Sequence, residues 1–313
     1  IRFDRMHPHF VCARSRDSSI HTEYMLRPAP RTGTAPKGTA DEKGRHMKVG
    51  VIGCGYWGPN LIRVIYQLPE FMEVICCDLD PAKLDRMKRL FPYIDTTSDV
   101  NDILADDKVE AVAVATPVRL HSPLGEQVLR HGKHLFVEKP LADSVENCRR
   151  LIRFAEEQNR VLMVGHTFEY TAAVNKMKEI IDSGELGEIL YVSSIRVNLG
   201  LFQPDINVVW DLAPHDISIL NFILDKTPVS VNCRGLAHFR AGIEDVASLT
   251  LDYGENLITF IHVSWLDPKK IRRTTVVGTN KMLVYDDILT QEKIKIYDKG
   301  VDAPPYYDTF AEF

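Results

Sequence analysis

Two residues in the stretch "WDLAPHD", Asp211 and His215, have the types and spacing to move a proton. A histidine titrates near neutral pH, which suits a general base, and a nearby carboxylate can hold or tune the ring. Residues four apart on a helix face the same way. The alternative is an Asp that caps a helix beside a partly buried His, and Asp216 is a second carboxylate that could orient the ring. Pro214 predicts that this segment is the first helical turn, where a missing N–H is no loss.

The stretch "VGVIGCGYWGPN" has Gly53, Gly55 and Gly58 at the spacing G-x-G-x-x-G. The spacing alone also fits a plain tight turn. Its surroundings favour a phosphate-binding loop, because an apolar run precedes the glycines and a helical pattern, beginning near Tyr56, follows them. The first glycine would make the turn, the second would let a pyrophosphate approach, and the third would pack the helix against the strand.

Asp78 ends the next apolar run, "MEVICCD". A carboxylate at about this distance beyond the glycines accepts hydrogen bonds from the adenosine ribose hydroxyls and repels a 2′-phosphate. The sequence therefore predicts an NAD site with a preference over NADP.

The elements that would position these residues follow two patterns. From Met47 onward, extended apolar runs alternate with helical patterns, which indicates a parallel sheet covered on both faces. After Glu188 the chain reads as successive strands, which indicates an open, mostly antiparallel sheet with helices on one face. The predicted fold class is α/β: an N-terminal Rossmann doubly wound parallel sheet at 47–168, followed by an α+β domain at 169–313.

Residues 1–46 differ from the rest of the chain. They lack hydrophobic periodicity and contain nine Lys or Arg against five Asp or Glu. A basic amphipathic transit peptide is the alternative, but acids are present and no helical stripe is visible. We expect a disordered, non-native extension with Met47 as the natural start.

Composition limits the class of protein. The 313 residues carry a net charge of −5 and are 45% hydrophobic, without an apolar run of bilayer length, so we expect no membrane partner. The acidic remainder after residue 46 offers no basic stripe for nucleic acid. Six cysteines without a C-x-x-C pair predict neither a metal site nor a disulfide framework, and we expect a cytoplasmic protein.

Together with "ATPVRLHSPL", "EKPLADSVENCRRLI", "MVGHTFEY" and "WDLAPHDISIL", these features make the chain resemble the Gfo/Idh/MocA oxidoreductases. Members of that family mostly oxidise or reduce a hydroxyl of a sugar or polyol with a nicotinamide cofactor. The resemblance runs from Met47 to the C-terminus. The combination "NLG…NVVWDLAPHD" is most similar to members that act on UDP-N-acetylglucosamine or its uronic acid.

The resemblance implies roles for the residues that match the family motifs. Lys139 would point at the reacting hydroxyl, His215 would take its proton, and Asp211 would hold the histidine. Pro140 matches a proline that follows a cis bond in relatives, although "EKP" also fits an exposed, charged strand end. The implied cofactor-binding residues are Gly53, Gly55, Tyr56, Trp57, Gly58, Asp78, Thr116, Pro117, His121, Glu138 and Lys139.

Substrate-binding candidates are implied around the second domain: His166, Tyr170, Arg196, Asn198 and Asn207. Arg196 and Asn198 alternate along a strand and could read a phosphate or an amide, or lie on an exposed sheet face. For His121, the alternative is a residue at a helix start that is satisfied by solvent. Glu169 departs from relatives, which often have a basic residue there.

The second sheet also needs cover on its other face. In the family it packs against the same sheet of another subunit, so we expect a homo-oligomer, a dimer or a tetramer. Family members continue beyond "PPYYDTFAEF" into a further strand and a closing helix, so the chain looks truncated at its C-terminus.

The predicted function is an NAD-dependent dehydrogenase that oxidises a hydroxyl, C3 in the favoured case, of a nucleotide sugar such as a UDP-N-acetylhexosamine or its uronic acid. The alternatives are a dehydrogenase of a free sugar or polyol, an NAD-dependent glycosidase that uses transient C3 oxidation, and an inactive cofactor-binding relative.

Overall fold

The computed structural model describes residues 47–68, 73–200, 202–203 and 205–300. The predictions of a disordered extension at 1–46 and of a truncated end after 300 fall outside these residues. Within the described part, the chain divides into two compact units, with the boundary between Gly165 and His166 in the sequence. Each unit is described by itself.

The first unit contains six strands, all parallel, in the order β3-β2-β1-β4-β5-β6. The order reverses beside the first strand, and ligands of doubly wound sheets bind at such a point, outside the carboxyl ends of the strands. The strands are β1 Lys48–Ile52, β2 Glu73–Cys77, β3 Asp95–Thr97, β4 Val109–Val114, β5 His134–Val137 and β6 Leu162–Val164. The helices are α1 Gly58–Gln67, α2 Pro81–Leu90, α3 Val100–Leu104, α4 His121–Arg130 and α5 Val145–Glu157, with a 3-10 turn at Val118–Leu120.

Both faces of this sheet are buried under helices. Val51 packs with Ile62 of α1 and Met87 of α2, whereas its neighbour Ile52 belongs to the cluster on the opposite face, which includes Leu129 of α4. Successive residues of a strand point to opposite faces, so a strand buried on both sides reads as a continuous apolar run. This explains "KVGVI" and "EVICC".

The second unit contains a seven-stranded sheet in the order β13-β12-β11-β7-β10-β9-β8. Only β10 and β7 pair in parallel, and the other neighbours are antiparallel. The strands are β7 Ile189–Leu199, β8 Ser230–Leu236, β9 Val246–Asp252, β10 Ile258–Ser264, β11 Leu266–Gly278, β12 Met282–Asp286 and β13 Ile294–Tyr297. The helices are a 3-10 helix at Thr167–Tyr170, α6 Ala172–Asp182 and α7 Val208–Leu224.

One face of this second sheet carries the core of the unit. Val192, Leu249 and Ile261 pack against buried residues of α6 and α7, including Ile219. The opposite face has no such cover among the described residues, and Tyr191 and Phe260 lie 39% and 43% exposed on it. The predicted fold class, a doubly wound parallel sheet followed by an open, mostly antiparallel sheet, is confirmed.

Pro214 corrects one expectation. It lies inside α7, at the seventh residue of the helix, and not in the first turn. A proline there cannot donate to the carbonyl four residues earlier, which costs about 3 kcal/mol. The helix continues because its buried face, with Leu212, Ala213 and Leu220 in the core, makes tertiary contacts that outweigh this cost.

None of the described helices is long and apolar enough to cross a membrane.

Candidate functional site

The glycine loop meets three separate steric requirements. Gly53 has a φ of +101°, and a Cβ there would lie 2.6 Å from the carbonyl oxygen of Ala115. A Cβ at Gly58 would collide with the carbonyl oxygen of Gly53, whereas a Cβ at Gly55 would meet no atom within 4 Å. Gly53 and Gly58 are therefore needed for the turn and for close packing. Gly55 instead faces open space, as a backbone that a phosphate must approach should.

The start of α1 suits an anion. Trp57 precedes the helix without a side-chain hydrogen bond to it, and the first turn holds no acidic residue. Pro59 has no N–H, and the N–H of Asn60 donates to the carbonyl of Trp57 at 2.9 Å, so an anion would meet the positive end of the helix dipole and the open backbone at Gly55. Tyr56 and Trp57 lie on its rim, 84% and 46% exposed, with their rings edge to face.

Asp78 is fixed beside the loop. Its carboxylate accepts hydrogen bonds from the backbone N–H of Cys54 at 2.8 Å and of Asp80 at 2.9 Å, and Lys83 Nζ lies 3.4 Å away. Burial alone would raise the pKa of Asp78, but the two N–H groups and the lysine outweigh it and lower the pKa. The carboxylate is thus ionised and positioned close to the glycines. Sequence reasoning missed Lys83, whose only signal is its place in the first turn of α2, shortly after Asp78.

His121 is a residue at a helix start, but solvent does not satisfy its ring. The ring is buried, with Nδ1 2.9 Å from the carbonyl oxygen of Pro140 and Nε2 2.8 Å from that of Thr116. It joins the loop after β4, with Thr116 and Pro117, to the segment after β5. The alternative of a solvated His121 is therefore wrong, because the ring bridges two backbone segments.

The segment after β5 carries Glu138, Lys139 and Pro140. The Lys139–Pro140 peptide bond is cis, which confirms the prediction, and Glu138 is only 8% exposed. Burial raises the pKa of Glu138, while the charge of Lys139 and its backbone N–H oppose the rise. The alternative of an exposed, charged strand end is wrong, because Glu138 and Pro140 are buried; the N–H of Glu138 also donates to the carbonyl of Val114.

In the second unit, α7 carries Asp211 and His215 on one helical face, as the spacing predicts. Asp211 Oδ2 accepts a hydrogen bond from Trp265 Nε1 at 3.2 Å. Asn207 caps the helix, because its Oδ1 accepts from the N–H of Trp210 while its Nδ2 donates to Glu244 Oε2 at 2.7 Å. Asn207 is thus the N-cap of the same helix that carries His215.

Arg196 faces the helices from the centre of the sheet. Its side chain is 3% exposed, and its guanidinium contacts Asp216 through Nε at 2.7 Å and Nη2 at 3.2 Å. The alternative of an exposed sheet face is therefore wrong for Arg196, because this side of β7 is covered by α7. Asn198 is half-buried two residues further along. Because Asp216 forms an ion pair with Arg196, Asp211 is the carboxylate of α7 that remains as the candidate to orient His215.

The 3-10 helix at Thr167–Tyr170 lies against α7. The ring of Phe168 meets the imidazole of His215 edge to face, with centroids 5.1 Å apart. Burial raises the pKa of Glu169, and the hydroxyl of Ser218 opposes the rise. His166 is half-buried at the start of this helix, and Tyr170 is 60% exposed at its end. Sequence reasoning missed Phe168, because an aromatic residue in "GHTFEY" reads as ordinary core.

A second cluster that the sequence did not indicate lies near the start of α7. The exposed ring of Phe239 contacts Phe202, which packs edge to face on the buried Trp265. Next to Phe239, the half-exposed His238 has Nδ1 2.7 Å from Asp245 Oδ1, and Asp245 is buried. This aromatic cluster, defined as Phe202, Phe239 and Trp265, is tied to the helix through the bond between Trp265 and Asp211.

The described residues contain no group of three or more His, Cys, Asp or Glu side chains that could hold a metal ion. The cysteines among them, Cys54, Cys76, Cys77, Cys148 and Cys233, are free thiols.

Sequence models of known protein families match both units of the chain. A sequence model described as "Oxidoreductase family, NAD-binding Rossmann fold" matches residues 47–166, and one described as "GFO/IDH/MocA C-terminal domain" matches residues 174–284.

Individual relatives differ in substrate. The chain is 29% identical to an inositol 2-dehydrogenase from Burkholderia multivorans over 59% of this chain and 56% of that protein. It is 25% identical to a UDP-N-acetylglucosamine 3-dehydrogenase from Acidithiobacillus ferrooxidans over 83% and 80%. The crystal structure of GenD2 from gentamicin A biosynthesis, in complex with NAD, superposes with a TM-score of 0.72 at 25% identity, covering 81% of this chain and 75% of that one. The chain spans about half the length of several curated relatives that it matches.

Proposed function

Because the chain belongs to the Gfo/Idh/MocA oxidoreductase family, we propose that it is an NAD-dependent dehydrogenase of a nucleotide sugar. The favoured reaction is oxidation of the C3 hydroxyl of a UDP-N-acetylhexosamine or its uronic acid. The observation that carries the NAD-dependent part of the proposal is the glycine loop, where Gly55 faces open space beside the fixed carboxylate of Asp78.

The first unit has the groups that would hold NAD. The open backbone at Gly55 and the positive end of the α1 dipole suit the pyrophosphate, and Asp78 has the ionised oxygens that ribose hydroxyls need. Tyr56 and Trp57 would line the loop. Thr116, Pro117 and Glu138 follow the adjacent strands β4 and β5, and His121 begins α4 next to them. When bound, NAD supplies the acceptor for a hydride.

The residues of the chain would handle the proton and the developing charge. A ring nitrogen of His215 would take the proton of the hydroxyl, and Asp211 would stabilise the imidazolium that forms. Lys139 Nζ would donate to the oxygen as negative charge develops on it. These roles stand on the resemblance together with the position of each residue within its own unit.

Two observations support a nucleotide sugar as the substrate. The Acidithiobacillus relative, which acts on UDP-N-acetylglucosamine, matches most of this chain and so includes the second unit. The aromatic cluster beside α7 leaves Phe239 69% exposed, and a flat exposed ring can stack on a nucleobase. His166, Tyr170, Asn198 and Asn207 remain candidate substrate contacts.

A free polyol is the second candidate, since the inositol 2-dehydrogenase matches at slightly higher identity over a shorter stretch. We propose further that the protein is cytoplasmic and forms a homo-oligomer through the second sheet. The free thiols of the described cysteines fit a reducing compartment.

The test is a substrate panel. The protein is incubated with NAD and, separately, UDP-N-acetylglucosamine, its uronic acid, the corresponding free sugars and inositol, while the absorbance of reduced cofactor is followed. We expect turnover with the UDP sugars, and Phe239→Ala should raise KM for the UDP sugar without changing KM for NAD. Turnover with polyols alone would reject the nucleotide-sugar assignment and retain the dehydrogenase.

A further inference from the structure

A buried ion pair, formed by Arg196 and Asp216, lies next to the proposed base, since Asp216 follows His215 directly in α7. Arg196 and Asp216 are 3% and 2% exposed, and their two contacts, 2.7 and 3.2 Å, form a bidentate arrangement. Ser194 Oγ donates to Asp216 Oδ1 at 2.7 Å and lies 3.2 Å from Thr274 Oγ1. The carboxylate of Asp216 thus accepts hydrogen bonds from Ser194 and Arg196, two side chains of β7. These bonds hold the guanidinium in position and place an opposite charge beside it.

The ring of Phe168 contacts both the guanidinium of Arg196 and the proposed base, His215. Arg196 Cζ lies 4.8 Å from the centre of the Phe168 ring, a cation–π distance. Phe168 in turn meets the imidazole of His215 edge to face at 5.1 Å. Since Asp216 follows His215 directly in α7, the contacts form a closed circuit: helix, Asp216, Arg196, Phe168, His215 and the helix again.

Such a circuit limits the freedom of the imidazole. Rotation of the His215 ring would break its contact with Phe168, and Phe168 cannot move away without losing the guanidinium. Breaking a buried bidentate pair is costly, because each partner would leave an uncompensated buried charge. Arg196 and Asp216 also neutralise each other, so they hold the ring without placing a net charge beside it.

We propose that Arg196, Asp216 and Phe168 are positioning residues that fix the orientation of His215. The inference rests on the proposed function in that His215 is the proton acceptor. It assigns Arg196 an action through Phe168 and not through contact with the substrate. Asp211 on the same helix and Glu169, which follows Phe168 in sequence, also carry ionisable groups on these elements, and neither belongs to the circuit.

The test compares conservative pairs of variants in the full chain. Arg196→Lys keeps the charge and loses the planar fork, and Phe168→Leu keeps an apolar side chain and loses the ring, whereas Phe168→Tyr keeps the ring. Arg272→Lys is the matched control. Arg272 on strand β11 is the register partner of Arg196 on strand β7, and its guanidinium forms an ion pair with Asp287 at 3.4 Å. Each variant is measured for kcat, for both KM values and for the His215 ring signals in NMR, assigned by their loss in His215→Ala.

We expect Arg196→Lys and Phe168→Leu to lower kcat by about tenfold, a fraction of what a general base contributes. Both KM values should stay within about twofold, because neither side chain binds substrate in this proposal. The His215 ring signals should shift or broaden in these two variants, while Phe168→Tyr and Arg272→Lys should resemble the wild type.

Two outcomes would overturn the proposal. Unchanged kcat and unchanged ring signals in Phe168→Leu would show that the ring contact does not position His215. A raised KM for the sugar in Arg196→Lys, with kcat unchanged, would show that Arg196 binds substrate instead. If the wild type reduces no NAD with any substrate, the proposed function fails, yet the NMR comparison still decides whether the circuit holds the imidazole.

Discussion

At the scale of single residues, the side chains that the sequence marked for ligands are already bonded within the protein. Asp78 accepts hydrogen bonds from two backbone N–H groups, and the His121 ring lies between two carbonyl oxygens, to one of which a neutral imidazole donates. These bonds position each group before a ligand arrives, which lowers the entropy cost of binding. A substitution at either position therefore alters the local backbone as well as the ligand contact.

The first prediction concerns the choice of cofactor. Asp78→Asn keeps an acceptor for the N–H of Cys54 and removes the negative charge, so a 2′-phosphate is no longer repelled while Lys83 remains close. We expect NAD to bind more weakly and NADP more strongly, so that the wild-type preference for NAD narrows by about tenfold or more. Titration of both cofactors by calorimetry measures this.

Lys83→Met in the Asp78→Asn background is the control, since it should lower the affinity for NADP more than that for NAD. Equal affinities of the unmodified protein for the two cofactors would contradict the prediction.

The second prediction divides the chemistry between Lys139 and His215. His215→Ala should lower kcat by about a hundredfold, with a smaller loss at high pH, where hydroxide partly replaces the base. Lys139→Met should lower kcat and leave NAD affinity nearly unchanged, because the ammonium matters most as charge develops on the oxygen. Steady-state kinetics over a range of pH provide the measurement.

The double variant adds a further check on this prediction. It should lose less than the product of the two single losses, because both groups act on one hydroxyl. Wild-type turnover in His215→Ala would remove the histidine from the mechanism.

At the scale of elements, α7 organises the second unit. One side is buried against the sheet, and its start is capped by Asn207. Its first three turns carry Asp211 and His215 on one face and Asp216 on another. The connection between β8 and β9 packs on the start of this helix through the bond of Asn207 to Glu244. The geometry near the proposed base therefore depends on that connection.

The third prediction tests how Asp245 holds this connection. Its carboxylate accepts hydrogen bonds from the backbone N–H of His238 and Phe239 and contacts the His238 ring. Burial alone would raise the pKa of Asp245, but these contacts outweigh it and lower the pKa. The stabilisation is therefore fully present above the ordinary carboxyl pKa, about 4, and is lost as pH falls through the lower folded-state value.

We expect Asp245→Asn to lower the free energy of unfolding at pH 7 by about 1–3 kcal/mol. The difference from the wild type should shrink below pH 4. Urea denaturation at several pH values measures both quantities, with the exposed Asp298→Asn as the control. A difference that persists unchanged at pH 2–3 would show that the carboxylate charge is not the cause.

At the scale of the whole molecule, each unit has its own core, but only the first sheet is covered on both faces by the described residues. The open face of the second sheet includes Tyr191 and Phe260, whose rings lie edge to face at 6.3 Å. Exposed aromatic residues on a broad sheet face are typical of an interface between subunits.

The fourth prediction is that a second copy of the chain covers this face. Light scattering coupled to size-exclusion chromatography should give a dimer or a tetramer, and Tyr191→Lys combined with Phe260→Lys should give a monomer. Tyr93→Lys, at an 85% exposed position in the first unit, is the control and should leave the mass unchanged. A monomeric wild type would contradict the prediction.

Much of this protein follows from local sequence. The runs "KVGVI" and "EVICC" predicted buried parallel strands, because a strand covered on both faces reads as a nearly continuous apolar run. The three glycines predicted a loop that the backbone confirms, because only glycine fits a φ of +101° at Gly53 and a carbonyl at the position of a Cβ on Gly58. The four-residue spacing likewise placed Asp211 and His215 on one face of a helix.

Tertiary structure decided which partner each charged group takes. Arg196 and Asp216 are twenty residues apart in sequence and meet only because α7 packs over β7. Phe168 reads as ordinary core until the 3-10 helix places its ring between a guanidinium and an imidazole. Pro214 is tolerated inside a helix only because distant residues bury the apolar side of that helix. Periodicity and backbone sterics are local and can be read along the chain, whereas ion pairing and burial depend on contacts between segments that the chain order does not specify.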